Sequence, residues 1–150
     1  MIFKINCPEE TEALGSRLAE ALSSRKIRRA YIALDGEMGV GKTVFTRGFA
    51  AALGISGVKS PTYTVVNEHR SRSGVSLYHF DLYRISDADD LWSIGYDDYI
   101  ESEGYSIVEW SERAGDDIPD GAIRVCISRG EGEDERIIEI SGIDLGEGEE

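Results

Sequence analysis

The chain has 150 residues, 41% hydrophobic and 30% charged, which is enough for one domain with a core and too few for two ordinary ones. Its 29 acidic residues against 16 Lys and Arg give a formal charge of −13, arguing against a basic protein that grips nucleic acid through its phosphates. No apolar run approaches a membrane span, residues 1–4 do not open a signal peptide, and Cys7 and Cys126 form neither a metal spacing nor a disulfide framework, so a cytoplasmic location is expected.

Apolar periodicity predicts alternating strands and helices in a single α/β domain. Residues 2–6 read as a short strand. Pro8 and two glutamates open an amphipathic helix over 9–24, with Leu14, Leu18 and Leu22 four apart. The basic cluster at 25–29 closes that helix and reads as a solvated helix end. Residues 30–34 form a near-continuous apolar run, the pattern of a strand buried on both faces. A glycine-rich turn at 36–41 leads into a second helix, on which Phe45, Phe49 and Leu53 repeat at four and Gly54 is the stop. Residues 64–70 and 75–80 are predicted to pair as a hairpin through the turn at 71–74. A short helix should start at 87–90 and end near Gly95, and 105–110, 122–128 and 136–140 read as three more strands. The domain is expected to span 1–140, leaving 141–150 as an acidic tail with little to bury, which should fray.

The strongest motif is Gly36-Glu37-Met38-Gly39-Val40-Gly41-Lys42-Thr43, which fits G-x-x-x-x-G-K-[ST] and lies between a buried strand and a helix. Glycines let the backbone wrap closely around phosphate oxygens, with successive N–H groups pointing inward. Lys42 adds a mobile positive charge, the Thr43 hydroxyl is an oxygen ligand for Mg2+, and the N-terminus of the following helix favours anions. Such a loop also needs a carboxylate near the cation, at the end of a neighbouring strand. Asp81 and Glu109 both qualify, and spacing alone does not divide the roles between them. His79, two residues before Asp81, has no third ligand nearby and reads as a packed or surface histidine. Ser60-Pro61-Thr62-Tyr63-Thr64 is a hydroxyl-rich turn in the place where nucleotide switches put a γ-phosphate sensor. Trp110 follows a candidate ligand. Neither N-K-x-D nor D-x-x-G occurs, so ATP is favoured over GTP, and no G-x-G-x-x-G follows a strand.

Taken in order, the glycine loop, Ser60-Pro61-Thr62-Tyr63-Thr64, His79-Phe80-Asp81-Leu82-Tyr83-Arg84 and Glu109-Trp110 resemble the TsaE (YjeE) family, the small bacterial ATPase of tRNA threonylcarbamoyladenosine biosynthesis. The likeness runs from about residue 10 to residue 110. Family members often carry G-D-L-G-A-G-K-T where this chain has Glu37, Met38 and Val40, positions that vary without affecting phosphate binding. The resemblance implies a single-domain P-loop NTPase, a three-layer α/β sandwich with a largely parallel central sheet plus antiparallel strands. It implies a chain that binds ATP and Mg2+ and hydrolyses ATP slowly. Its partners would be TsaD and TsaB, which make the modification at position 37 of tRNAs reading codons that begin with A, with tRNA reached only through that complex. By the family pattern Thr43 and Glu109 would hold Mg2+, and Asp81 would orient or activate water beside Lys42. Thr62 and Thr64 would form the switch, and Thr11 would join the loop residues 36–43 at the nucleotide. The alternatives are a small-molecule kinase and a nucleotide-dependent interaction module with negligible turnover.

Overall fold

The apolar run of the sequence becomes strand β2 (Arg29–Gly36), which lies inside the sheet because both its faces are covered. The computed structural model describes residues 1–61 and 64–146. Parallel neighbours flank β2: β5 (Gly104–Glu109) on one side and β6 (Ile123–Arg129) on the other. Beyond β5 lie the parallel β4 (Ser76–Asp81) and its antiparallel hairpin partner β3 (Val66–Arg70). Beyond β6 lie β7 (Arg136–Ser141) and β1 (Ile2–Ile5), each antiparallel to its neighbour. The seven-stranded order is β1-β7-β6-β2-β5-β4-β3, a parallel centre with antiparallel edges, as expected.

Side chains alternate across a strand, so neighbouring residues of β2 feed different cores. Ile32 and Leu34 join Leu14, Leu18 and Leu22 of α1 (Pro8–Ser24) and Phe45 and Phe49 of α2 (Lys42–Ala52). Tyr31 and Ala33 face the other way, toward Phe80, Val108, Leu91 of α3 (Ala88–Ser93) and Tyr96 of α4 (Tyr96–Glu101). These are the three layers. The second helical layer stops short of the sheet edge, because β6 alternates buried and exposed residues. No helix among the described residues is long and apolar enough to cross a membrane.

Two elements escaped the periodicity reading. Gly95, taken as a stop, is also the N-cap of α4, and its φ of 78° turns the chain from one short helix straight into the next. A 3-10 segment, Ser111–Asp117, follows β5. The expectation that the tail has little to bury also fails for its first residues. Ile143 and Leu145 pack against the main core, and Arg17 donates to the carbonyls of Leu145 and Gly146. Arg25 donates to the Asp144 carbonyl, and Arg29 to that of Glu101 at 2.8 Å, so two members of the basic cluster are structural anchors.

Helices α1 and α2 cross backbone against backbone at two glycines. A Cβ at Gly48 would lie 1.9 Å from the Glu12 carbonyl oxygen, and one at Gly15 would lie 2.2 Å from that of Phe45. Ser16 seals the crossing by donating to the Gly48 carbonyl at 2.7 Å. The close approach brings Thr11, in the first turns of α1, beside the glycine loop that opens α2. At an exposed helix position Gly→Ala adds about 1 kcal/mol of stability. Gly48→Ala is expected instead to cost about 1–3 kcal/mol, because the methyl group meets backbone that cannot yield. Urea unfolding of the two proteins checks this, and a stabilised variant contradicts the packing.

Candidate functional site

Three parallel strands end side by side: β2 at Gly36, β4 at Asp81 and β5 at Glu109. Register pairs Glu109 with Leu34 on one side and with Asp81 on the other. The two carboxylates are therefore cross-strand neighbours at the carboxyl end of the sheet, where open α/β folds bind ligands.

The loop from β2 to α2 closes over this edge. Gly36 has no room for a side chain, since a Cβ there would lie 2.6 Å from the Ile127 carbonyl oxygen. Gly41 has φ of 119° and is the N-cap of α2, a conformation that disfavours any other residue. Val40 points inward and is buried, while Glu37 and Met38 are exposed. Two arginines hold the loop from the β6–β7 side. Arg136 Nε donates to the Val40 carbonyl at 3.0 Å, and Arg129 Nη2 to the Met38 carbonyl at 3.3 Å.

Lys42, the first residue of α2, is only 7% exposed. Its Nζ donates to the Gly36 carbonyl at 2.7 Å, lies 3.9 Å from Glu109 Oε1 and sits 5.0 Å from the centroid of the Trp110 ring. Glu109 is 4% exposed, and its Oε2 is 2.7 Å from Nε2 of His79, which is fully buried. Asp81 Oδ1 accepts the Tyr83 N–H at 3.0 Å. Burial raises the Asp81 pKa above the ordinary carboxylate value; the Tyr83 N–H opposes the rise, the Glu109 charge adds to it, and Lys42 and His79 oppose it more weakly.

Lys42, Asp81, Tyr83, Glu109 and Trp110 border a cleft of about 460 Å3, lined also by Met38, Thr43 and Ser60. That volume is within the usual range for small-molecule sites. Among the predicted residues, Met38, Gly39, Gly41, Lys42, Thr43, Asp81 and Glu109 share this cleft. Thr11 does not. It lines an adjoining recess of about 160 Å3 with Val40, Gly41, Asp134 and Arg136, on the α1 side of the loop. Thr64 Oγ1 bonds Asn67 Oδ1 at 2.7 Å and is not part of the lining, and Thr62 lies outside the described residues. His79 is packed, one of the two fates expected for it, and its nitrogen meets Glu109.

Trp110, singled out in the sequence for following a candidate ligand, lines the cleft, whereas Asp35, Ser111 and Arg113, which brace it, are not singled out by the sequence. Trp110 adopts a left-handed conformation (φ 56°, ψ 44°), unusual outside glycine. Asp35, the last residue before the glycine motif, holds the next turn, accepting the Ser111 N–H at 3.2 Å and its hydroxyl at 2.9 Å. Tyr83 packs on the Trp110 ring at 4.9 Å, and the Arg113 guanidinium lies 5.8 Å from the Tyr83 ring. Asp35 was visible as an acid at a strand end; nothing in the spacing tied it to Ser111.

The donor set is coherent. A close-fitting glycine loop and a helix N-terminus are groups that could hold a phosphate, and Glu109 with the Thr43 hydroxyl could hold Mg2+, whose other ligands would come from water and phosphate. Fold and site define an α/β domain with a glycine loop and a cleft at the carboxyl ends of parallel strands. Comparison with known proteins gives the family. A family model described as "Threonylcarbamoyl adenosine biosynthesis protein TsaE" matches residues 5–138. The chain is 35% identical over 137 residues to the tRNA threonylcarbamoyladenosine biosynthesis protein TsaE of Bacillus subtilis, covering 91% of this chain and 82% of that one. It is 40% identical over 124 residues to the protein of the same name from Haemophilus influenzae, covering 80% and 78%. The crystal structure of Bacillus subtilis YdiB superposes with a TM-score of 0.73 at 31% identity, covering 92% of this chain and 82% of that one. The chain belongs to the TsaE family.

A carboxyl whose pKa is raised by folding is harder to ionise in the native state than in the unfolded chain. Its charge therefore subtracts from stability once the pH passes the folded value, and the penalty is absent in acid. Asp81→Asn keeps the acceptor for the Tyr83 N–H and removes the charge. Its melting temperature is expected to exceed that of the parent at neutral pH, the gap closing as the pH falls below the carboxylate range. A lower melting temperature at neutral pH contradicts this.

Proposed function

We propose that the chain binds ATP with Mg2+ and hydrolyses it slowly, as a switch within the machinery that makes threonylcarbamoyladenosine at position 37 of tRNA. The observation that carries this reading is Lys42, buried between the Gly36 carbonyl and Glu109 at the mouth of a cleft that also holds Thr43 and Asp81. The loop 36–43 would bind the phosphates, with Lys42 exchanging its carbonyl partner for phosphate oxygens. Thr43 and Glu109 would hold Mg2+, which when bound neutralises phosphate charge and orients the terminal phosphoryl group. Asp81, with its raised pKa, is suited to take a hydrogen bond, or a proton, from the attacking water. Thr11 would meet the nucleotide from the far side of the loop.

The switch reading rests on the segment that precedes β3. Ser60 lines the cleft, and the Asp81 N–H donates to the Val65 carbonyl at 2.8 Å. Val65 itself holds φ of 71°, costly for a β-branched residue. A change at the terminal phosphate would thus reach the segment 60–65, which contains Thr62 and Thr64, through Asp81. The partners would be proteins of the TsaD and TsaB type. With a formal charge of −13, the chain would reach tRNA through them.

Lys42→Ala is expected to weaken ATP binding and to lower hydrolysis at least about 100-fold, with an unchanged circular dichroism spectrum. Calorimetry and phosphate release check both, and parent-like affinity and turnover contradict the assignment. For the switch, a pull-down with the partner proteins should retain different amounts of the chain in ATP and in ADP. Equal retention contradicts it.

A further inference from the structure

We infer that His79 is a positioning residue for the cation site: its Nε2–H holds one oxygen of Glu109 and so presents the other to the cleft. The inference rests on the proposed role of Glu109 and extends it to a residue that no comparison assigns.

The two residues do not face each other directly across the sheet. His79 pairs in register with Ile107, two residues before Glu109, so the contact is a diagonal one between β4 and β5. Both side chains lie on the face that α2 covers, because Leu77, His79 and Asp81 alternate with Tyr78 and Phe80. The contact is short, 2.7 Å, and sealed, with His79 fully buried and Glu109 4% exposed. Nδ1 of His79 has no hydrogen-bond partner among the described residues. A ring with hydrogen on Nδ1 would bury an unsatisfied N–H and set a bare nitrogen against a carboxylate. The tautomer with hydrogen on Nε2 avoids both faults. The ring is therefore a one-directional clamp: one donor, aimed at Oε2.

The clamp decides how Glu109 sits. With Oε2 held by His79, Oε1 is left on the Lys42 side, 3.9 Å from Nζ and at the cleft. A carboxylate free to rotate would lose entropy each time it met a cation, and the outer partners of metal ligands commonly contribute 10–100-fold in affinity for that reason. His79 is too deeply placed to touch nucleotide or cation, so its effect passes through Glu109.

Two substitutions of similar polarity separate positioning from packing. In His79→Gln the side-chain amide reaches about as far as Nε2. In His79→Asn it ends near the place of Nδ1 and falls short of Glu109. The measurement is ATP affinity by calorimetry as a function of Mg2+ concentration and in excess EDTA, with the melting temperature recorded for each protein. His79→Asn is expected to need about tenfold more Mg2+ for half of the full effect, with affinity in EDTA equal to that of the parent. His79→Gln is expected to return to within about threefold of the parent, whatever the two melting temperatures are. If both variants match the parent in Mg2+ dependence while the parent itself responds to Mg2+, the positioning role is wrong and the cation site stands. If both lose affinity equally in Mg2+ and EDTA, His79 serves packing alone and the inference fails. A parent with no response to Mg2+ removes the cation site and this inference together.

Discussion

A lysine ammonium that water scarcely reaches must find its counter-charge inside the protein, and the arrangement at the sheet edge follows from that need. Lys42 meets it with the Gly36 carbonyl, the Glu109 carboxylate and the face of Trp110. Without Glu109 the ammonium would keep only the Gly36 carbonyl and the Trp110 face, and leaving a buried charge without its counter-charge costs about 3–5 kcal/mol. Glu109 must therefore stay where β5 ends, and His79 secures it from the neighbouring strand. Trp110 must turn back over the lysine, which requires its left-handed backbone and the Asp35–Ser111 bonds that hold the following turn. Asp81 completes the group, and its pKa is raised chiefly by burial, with the Glu109 charge adding to the rise.

The loop around this charge is held from two sides by different means. On one side α1 is pressed onto α2 through Gly15 and Gly48, which fixes the helix that Lys42 begins and the place of Thr11. On the other, Arg129 and Arg136 reach from the β6–β7 hairpin to the carbonyls of Met38 and Val40. The antiparallel edge thus supports the site. Its sequence carries no binding motif, and its contribution lies in two arginines whose targets are backbone atoms.

Much of this was legible in the residues. The glycine motif between an apolar run and a helix pattern located the loop, and the acids at two predicted strand ends located the carboxylates. Periodicity counted the strands, because each alternates or is apolar throughout according to the faces it buries. Three kinds of feature were not legible. Gly95 joins two short helices, and a glycine that ends one helix says nothing of the next. Ile143 and Leu145 sit in an acidic tail whose composition masks two apolar contacts. The tie between His79 and Glu109 depends on strand register, which brings together residues thirty positions apart and leaves no mark on local sequence. Register also explains why spacing could not divide roles between Asp81 and Glu109: they are opposite each other, and their surroundings, not their positions, set them apart.

The most direct test of the account is a calorimetric titration of the unaltered chain with ATP, once with Mg2+ and once in excess EDTA. The account predicts one nucleotide bound per chain, with clearly tighter binding when Mg2+ is present. Absence of ATP binding under both conditions, or binding indifferent to the cation, would contradict a site built from the glycine loop, Lys42 and Glu109.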